Sequence, residues 1–298
     1  LTELELEGIL SLLKKGVAMR SFVFISFVFV ISFICGCLSE EQFRADMTVA
    51  EISERMEKAT DPNDYYRKSK SYILKQEMQT KQDGEDVTYT IEIQFKLPNF
   101  LKTTTFKDGK PISSVLFDGK KAWEIKSDTG ENEPITGKRL ELVKTFAAIG
   151  HPANTLMTVF PKIDVSEIKV GPREYYKLVC YPKYDDIAPY TMYVGKNNFL
   201  TKRLETKMYV KGGSIDYTSI IDRYSMYKGV MIASESTVIL NTTTKQIFHV
   251  IDYQLDVDIP DSEFELPTPW FLKNTQKRLK QEEKELKEEK KLKDDKKK

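Results

Sequence analysis

Between Val87 and Leu97 the chain alternates without a fault. Val87, Tyr89, Ile91, Ile93, Phe95 and Leu97 are apolar, and Thr88, Thr90, Glu92, Gln94 and Lys96 between them are polar. Successive side chains of a strand point to opposite faces, so this pattern predicts a long antiparallel strand with one apolar and one wetted face. A strand of that kind must bury its apolar face against other elements, and its surroundings supply them. Asp83-Gly84 precedes it, Pro98-Asn99 follows it, and Asp108-Gly109 and Asp118-Gly119 lie beyond. Asp-Gly between apolar runs is a hairpin signal, because both residues accept the positive φ of a tight turn. Strands are therefore predicted over 72–80, 87–97, 100–106, 112–117 and 121–126. Such a meander closes into a barrel or stacks as a sandwich.

A helix precedes the meander. Thr48 and Glu51 form a capping box, and Val49, Ile52, Met56 and Ala59 give one apolar face before Asp61-Pro62-Asn63 ends it. The strand pattern also breaks over residues 138–161. There Leu140, Val143, Ala147 and the Leu156-Met157 pair suit helical turns, interrupted at Gly150-His151-Pro152. Strands resume over 175–181, 191–194, 199–210, 214–221, 230–240 and 246–257. In the last of these, Ile247, His249, Ile251, Tyr253, Leu255 and Val257 are expected on one side. The short connections favour up-and-down antiparallel order.

The N-terminal region carries a different signal. Residues 22–34 hold 13 positions, 11 of them apolar. That is short for a bilayer span, which needs about 20, and suits the h-region of a signal peptide. Met19-Arg20 lies ahead of it, and Ile34-Cys35-Gly36-Cys37 closes it in the manner of a lipobox. The expectation is that residues 1–36 are removed, with the natural start at Met19, and that Cys37 is lipidated. Residues 37–46 would be a polar tether, residues 47–270 the folded domain, and residues 271–298 a charged tail. An ordinary signal peptide or a short anchor that happens to end in Cys is the plainer alternative.

Charge is segregated along the chain. The formal total is +1, residues 1–37 balance at three charges of each sign, and residues 273–298 hold 12 Lys/Arg against 7 Asp/Glu. The body is therefore mildly acidic, which argues against nucleic acid as a partner. The tail reads as a solvated helix, with a protein partner, a coiled coil or a basic membrane-surface helix as the sharper options. Cys180 has no second cysteine in the mature chain to pair with and is expected in the core. No His/Cys/carboxylate spacing suggests a metal, and no phosphate loop or nucleophile elbow is present. Asp185-Asp186 reads as a solvated loop pair. Asn241-Thr242-Thr243 is a glycosylation sequon, a weak signal. No catalytic residue and no cofactor is expected. The 16 Phe and 15 Tyr either fill a solid core or line a hollow for acyl chains or an apolar peptide, and the residues leave both open.

Three motifs carry a resemblance. Lys96-Leu97-Pro98-Asn99-Phe100, then Phe117-Asp118-Gly119-Lys120-Lys121-Ala122-Trp123, then Ile259-Pro260-Asp261-Ser262-Glu263-Phe264-Glu265-Leu266-Pro267 resemble the bacterial lipoprotein carriers of the LolA/LolB type. They also resemble the related outer membrane lipoprotein-sorting proteins, in order and spacing over roughly residues 47–267. The resemblance implies an incomplete antiparallel barrel of about eleven strands with helices as a lid over its open side. It implies a hollow that binds acyl chains of lipids or lipoproteins without chemistry. Here Tyr89, Ile91, Ile93 and Phe95, with Trp123 close by and Leu156 and Met157 in the lid, would line that hollow. Soluble carriers place a lid-latching arginine where this chain has Leu97. A lipidated Cys37 would hold the domain on the extracytoplasmic face of the cytoplasmic membrane. The alternative is a surface interaction module with a solid barrel core.

Overall fold

The computed structural model describes residues 41–184 and 186–266. Its strands are β1 (Glu41–Phe43), β2 (Ser71–Gln82), β3 (Glu85–Lys96), β4 (Phe100–Lys107), β5 (Lys110–Phe117), β6 (Ala122–Lys126), β7 (Asn132–Ile135), β8 (Lys162–Val170), β9 (Arg173–Tyr181), β10 (Tyr190–Gly195), β11 (Thr201–Val210), β12 (Gly213–Tyr227), β13 (Val230–Leu240) and β14 (Thr244–Leu255). The helices are α1 (Val49–Thr60), α2 (Tyr65–Lys68), α3 (Gly137–Ile149) and α4 (Leu156–Val159), and a 3-10 turn spans Asp261–Phe264. The α1 capping box is present, with Thr48 Oγ1 accepting from the Glu51 amide and Glu51 answering on the Thr48 amide at 2.8 Å.

The fourteen strands form one sheet in the order β1-β8-β9-β10-β11-β12-β13-β14-β2-β3-β4-β5-β6-β7. Its end strands β1 and β7 do not pair, so the sheet is an open half-barrel with helices on one face. The chain enters at the middle with β2 and walks out to β7. It then crosses over the inner face through α3 and α4 to the other wing at β8, and walks back until β14 pairs with β2. The crossover is why residues 138–161 form a lid: the insert must span from one wing to the other. Turns alternate between two rims. Turns 97–99, 118–121, 171–172, 196–200 and 228–229 lie on the rim where β1 starts, and those at Asp83-Gly84 and Asp108-Gly109 lie on the opposite rim. Asp83, Gly84, Asp108 and Gly109 all have positive φ, as tight hairpins require.

Three strands exceed the expected set: β1, β7 and β8. The segment expected as a loose tether is tied down from residue 41. Glu41 to Phe43 pair with Lys169 to Glu167. The Asp46 amide donates to Glu167 Oε1 at 2.6 Å, Tyr176 donates to Asp46 Oδ1 at 2.8 Å, and Lys196 Nζ donates to Glu167 Oε2 at 2.7 Å.

Register separates the two faces. Tyr72, Phe95, Leu101, Phe117 and Ala122 are successive cross-strand partners and share the inner face. Ile73, Gln94, Lys102, Leu116 and Trp123 form the adjacent outer row. The wing β8–β11 is solid inside, where Ile52 of α1 and Leu142 of α3 meet Phe160, Tyr176, Leu178, Cys180, Tyr190 and Met192. Outside, the chain after β14 crosses the sheet as a strap. Ile259 and Phe264 bury against Leu116 and Ile125, Phe264 stacks on Phe100 at 5.4 Å, and Lys96 Nζ donates to the Ile259 carbonyl at 2.6 Å. The closing motif of the sequence is this strap.

Candidate functional site

Tyr89, Ile91, Ile93 and Phe95 lie together on the inner face of β3. Across β2 they face Met78, Gln76, Leu74 and Tyr72, and across β4 Ile91, Ile93 and Phe95 face Thr105, Thr103 and Leu101. The two ends of this row differ. At the Phe95 end the space is filled. Phe95 and Tyr72 stack with centroids 5.2 Å apart, Tyr253 lies 6.2 Å from Tyr72, and His151 of the insert stands edge-on to Phe95 at 5.5 Å. Tyr66 donates to the Gly150 carbonyl at 2.6 Å. Burial pushes the Tyr66 and Tyr72 phenols well above the usual tyrosine range, so both remain neutral donors.

Away from that end the face opens. Ile91, Ile93, Leu74, Met78, Thr103 and Thr105 are only half-buried. On the neighbouring β14, Phe248 opposite Met78 and Val250 opposite Gln76 continue the same half-covered surface. Tyr89 closes its far end, buried and donating to Gln82 Oε1 at 3.2 Å. The result is an apolar band on a curved sheet, bounded by packed aromatics at one end and by Tyr89 at the other.

The remaining expected lining residues lie elsewhere. Trp123 pairs with Leu116 on the outer face and packs beneath the strap, because the turn at residues 118–121 fixes its parity opposite to Ala122. Leu156 joins the solid core of the β8–β11 wing, and Met157 is 52% exposed. The expected one-sided alternation of 246–257 also fails. Ile247 and His249 pair with Gln79 and Glu77, whereas Tyr253 and Leu255 pair with Leu74 and Tyr72 on the inner face. A bulge between Val250 and Asp252 inserts one residue and reverses the phase. Met78, Phe248 and Val250 were not anticipated. That bulge hid the latter two, and weak alternation in β2 hid the first.

Other singled-out residues find ordinary places. Leu97 sits in the β3–β4 turn, its amide donating to the Lys70 carbonyl at 2.9 Å. Cys180 is fully buried under α1, its thiol pushed up to about 12 by burial. His249 faces Glu235 at 3.6 Å on the outer surface, and Asp186 faces Lys138 at 3.6 Å. Asn241 occupies the exposed β13–β14 turn at φ 46°, its Oδ1 accepting from the Asp216 amide at 3.0 Å. Cys37, the charged tail and Asp185 lie outside the described residues.

Two grooves mark the outer face. One of about 650 Å³ runs beside the strap between Lys102, Thr104, Ser114 and Glu263, and one of about 810 Å³ lies among Arg173, Tyr175, Tyr193 and Lys202.

No family model and no curated protein matches the sequence. Among solved structures, a LolA superfamily protein from Nitrosomonas europaea superposes with a TM-score of 0.52 at 13% identity, covering 74% of this chain and 98% of that one. The fold is similar to that of this LolA superfamily protein. A putative outer membrane lipoprotein-sorting protein domain from Vibrio parahaemolyticus gives 0.49 at 14% identity, covering 72% and 95%. In this LolA fold the half-barrel, the α1 helix and the α3–α4 lid correspond to the arrangement expected from the three sequence motifs. The expected strand count of about eleven gives way to fourteen.

Proposed function

We propose that this protein is a lipid-anchored, extracytoplasmic binder of acyl chains, held at the outer face of the cytoplasmic membrane through Cys37. The half-buried apolar band at Ile91, Ile93, Met78, Phe248 and Val250 carries this reading. Acyl chains are flexible and featureless, so they need apolar area under a cover rather than directed polar contacts. The solid β8–β11 wing leaves the β2–β4 and β14 strands as the place for them. The similarity of the fold to a LolA superfamily protein supports the class of ligand. For Cys37, two or more chains give stable anchoring, at about 0.8 kcal/mol per buried methylene.

The test is mass spectrometry of lipid retained by a secreted form in which an ordinary export signal replaces residues 1–37. Wild-type protein should carry lipid, and Ile91→Asp should not, because an ionised carboxylate in an apolar recess is strongly disfavoured. Wild-type protein free of lipid overturns the acyl-chain reading and moves the protein to a surface interaction module. The anchor is tested separately: Cys37→Ser should leave the membrane fraction, and an unchanged mass and location reject lipidation.

A further inference from the structure

One inner row leads from the apolar band to the edge of the sheet. Leu74, Ile93, Thr103, Val115, Glu124 and Glu133 are successive cross-strand partners from β2 to β7. The first five are half-buried and Glu133 is exposed, so the half-covered surface continues as far as the open side. The inner row beside it, from Tyr72 through Phe117 to Ile135, is covered at its β7 end, where Leu140, Val143 and Ala147 of α3 pack on Phe117, Ala122 and Ile135. The other margins of the band are closed as well. At its far end Tyr89 is 3% exposed, with Lys107 Nζ 5.8 Å from its ring centroid. Toward β13 and β14, Val238, Leu240 and Gln246 are buried.

The row ends in an ionic chain that reaches over to the other wing. Arg139 of α3 donates to Glu124 Oε2 at 2.8 Å, and Lys211 donates to Glu133 Oε1 at 2.9 Å. Lys211 stands in the β11–β12 turn, and β7 is the end strand of the opposite wing, so the Lys211–Glu133 pair spans the open side. The Glu133 carboxyl is held below the usual carboxylate range, first by the Lys211 hydrogen bond, with Arg139 and Lys126 adding to it. Lys211 and Glu133 are both more than half exposed, and an exposed pair holds weakly. The Gly150 end of α3 is held differently, by the Tyr66 hydrogen bond and by His151 against the ring of Phe95.

We propose that acyl chains enter and leave the hollow sideways, between the β7 edge and the β11–β12 turn. The Lys211–Glu133 and Arg139–Glu124 pairs hold this doorway shut, and α3 stays seated at its Gly150 end as a chain passes. This rests on the acyl-chain reading proposed above. A hydrocarbon chain needs an uncharged path, because an apolar group gains nothing beside ions that keep their water. Thr103 and Val115 supply that path between Ile93 and the ionic pairs, and parting one exposed pair opens it.

The experiment uses the full chain in phosphatidylcholine vesicles, with Ile93→Cys as a reporter in the band. N-dodecylmaleimide is the probe, and peptide mapping by mass spectrometry reads modification at position 93 alone. Relative to N-ethylmaleimide, and to the exposed turn thiol of Asp83→Cys, position 93 should favour the dodecyl reagent. Lys211→Glu should raise the dodecyl rate about threefold, the scale of one exposed ion pair. Adding Glu133→Lys to Lys211→Glu restores an attractive pair and should return the rate to its starting value. Tyr66→Phe, which loosens the other end of α3, should raise it less. A dodecyl preference with a rate indifferent to Lys211→Glu overturns the doorway and leaves the acyl-chain reading standing, as does an acceleration that Glu133→Lys fails to reverse. A larger effect of Tyr66→Phe than of Lys211→Glu also overturns it, in favour of a helix that lifts from its Gly150 end. Absence of any dodecyl preference overturns the doorway together with the acyl-chain reading.

Discussion

The phenol of Tyr66 donates a 2.6 Å hydrogen bond to the carbonyl of Gly150. It fastens the end of lid helix α3 to the chain that leads into β2. Removing the hydroxyl with Tyr66→Phe should cost about 1 kcal/mol, read as a fall in Tm of about 2–4 °C for a domain of this size. Gly150→Ala should cost more. A Cβ there would stand 2.7 Å from the Tyr72 hydroxyl and 3.3 Å from the Phe146 carbonyl, and Tyr72 is held by its stack on Phe95. If Gly150→Ala melts at the wild-type temperature, the lid end is looser than described.

The strap is expected to matter as much as an inner core. Phe264 is 6% exposed and stacks on Phe100. Phe264→Ala should destabilise by about 3 kcal/mol, within the usual range for a buried phenylalanine, measured by urea unfolding. Trp123→Phe, under the same strap, should leave lipid retention unchanged, because its ring lies on the outer face.

Acid should loosen the first strand before it unfolds the body. The Asp46 carboxyl is held below the usual carboxylate range, chiefly by the hydrogen bond from Tyr176 and further by Glu167 and Lys196. A carboxyl lowered in the folded state contributes stability above its ordinary range and loses it as pH falls through the lowered value. Lys196 is raised, first by Glu167, so its contribution is present below the ordinary lysine range and is lost only as pH rises through the raised value. Hydrogen exchange of residues 41–47, corrected for intrinsic rate, should show protection at neutral pH that disappears as pH falls below the ordinary carboxylate range. Protection that persists to lower pH while the body remains folded would assign the hold to β1 pairing alone.

Cys180 offers a probe of the solid wing. Burial raises its thiol to about 12, and its side chain is covered by the α1 core. Reaction with iodoacetamide at pH 7.5 should proceed only through global unfolding, since the thiolate is the reactive species. Labelling on the timescale of an exposed thiol would mean that α1 lifts from the sheet.

Much of this architecture was legible residue by residue. The fault-free alternation from Val87 to Phe95 identified β3 and its inner face, Thr48 and Glu51 identified the start of α1, and each Asp-Gly identified a hairpin. The missing strands had reasons. In β8, Glu167 takes an inner position to meet Lys196 while Ile168 buries on the other face, so the period of two is broken midway. β7 contains Pro134, which only an edge strand accepts, and β1, Glu41-Gln42-Phe43, is too short to display a period. Parity across turns was the other blind spot. Trp123 changes face according to how many residues the turn at 118–121 holds, and the bulge at Val250 reverses β14. Neither count is written in side-chain chemistry. For the candidate site, the β3 residues were readable, and their partners Met78, Phe248 and Val250 needed the register.

The pairing of β14 with β2 has a consequence for how the chain is made. β2 is the first long strand to emerge, and β14 the last, so one edge of β2 stays uncovered until nearly the whole body exists. Uncovered edges invite pairing with other chains, and contacts so distant in sequence form slowly. A nascent or truncated product that stops before Thr244 would carry an open β2 edge and an unroofed apolar face at once. Translation stalled there should yield aggregates rather than a smaller soluble domain, because the central seam closes last.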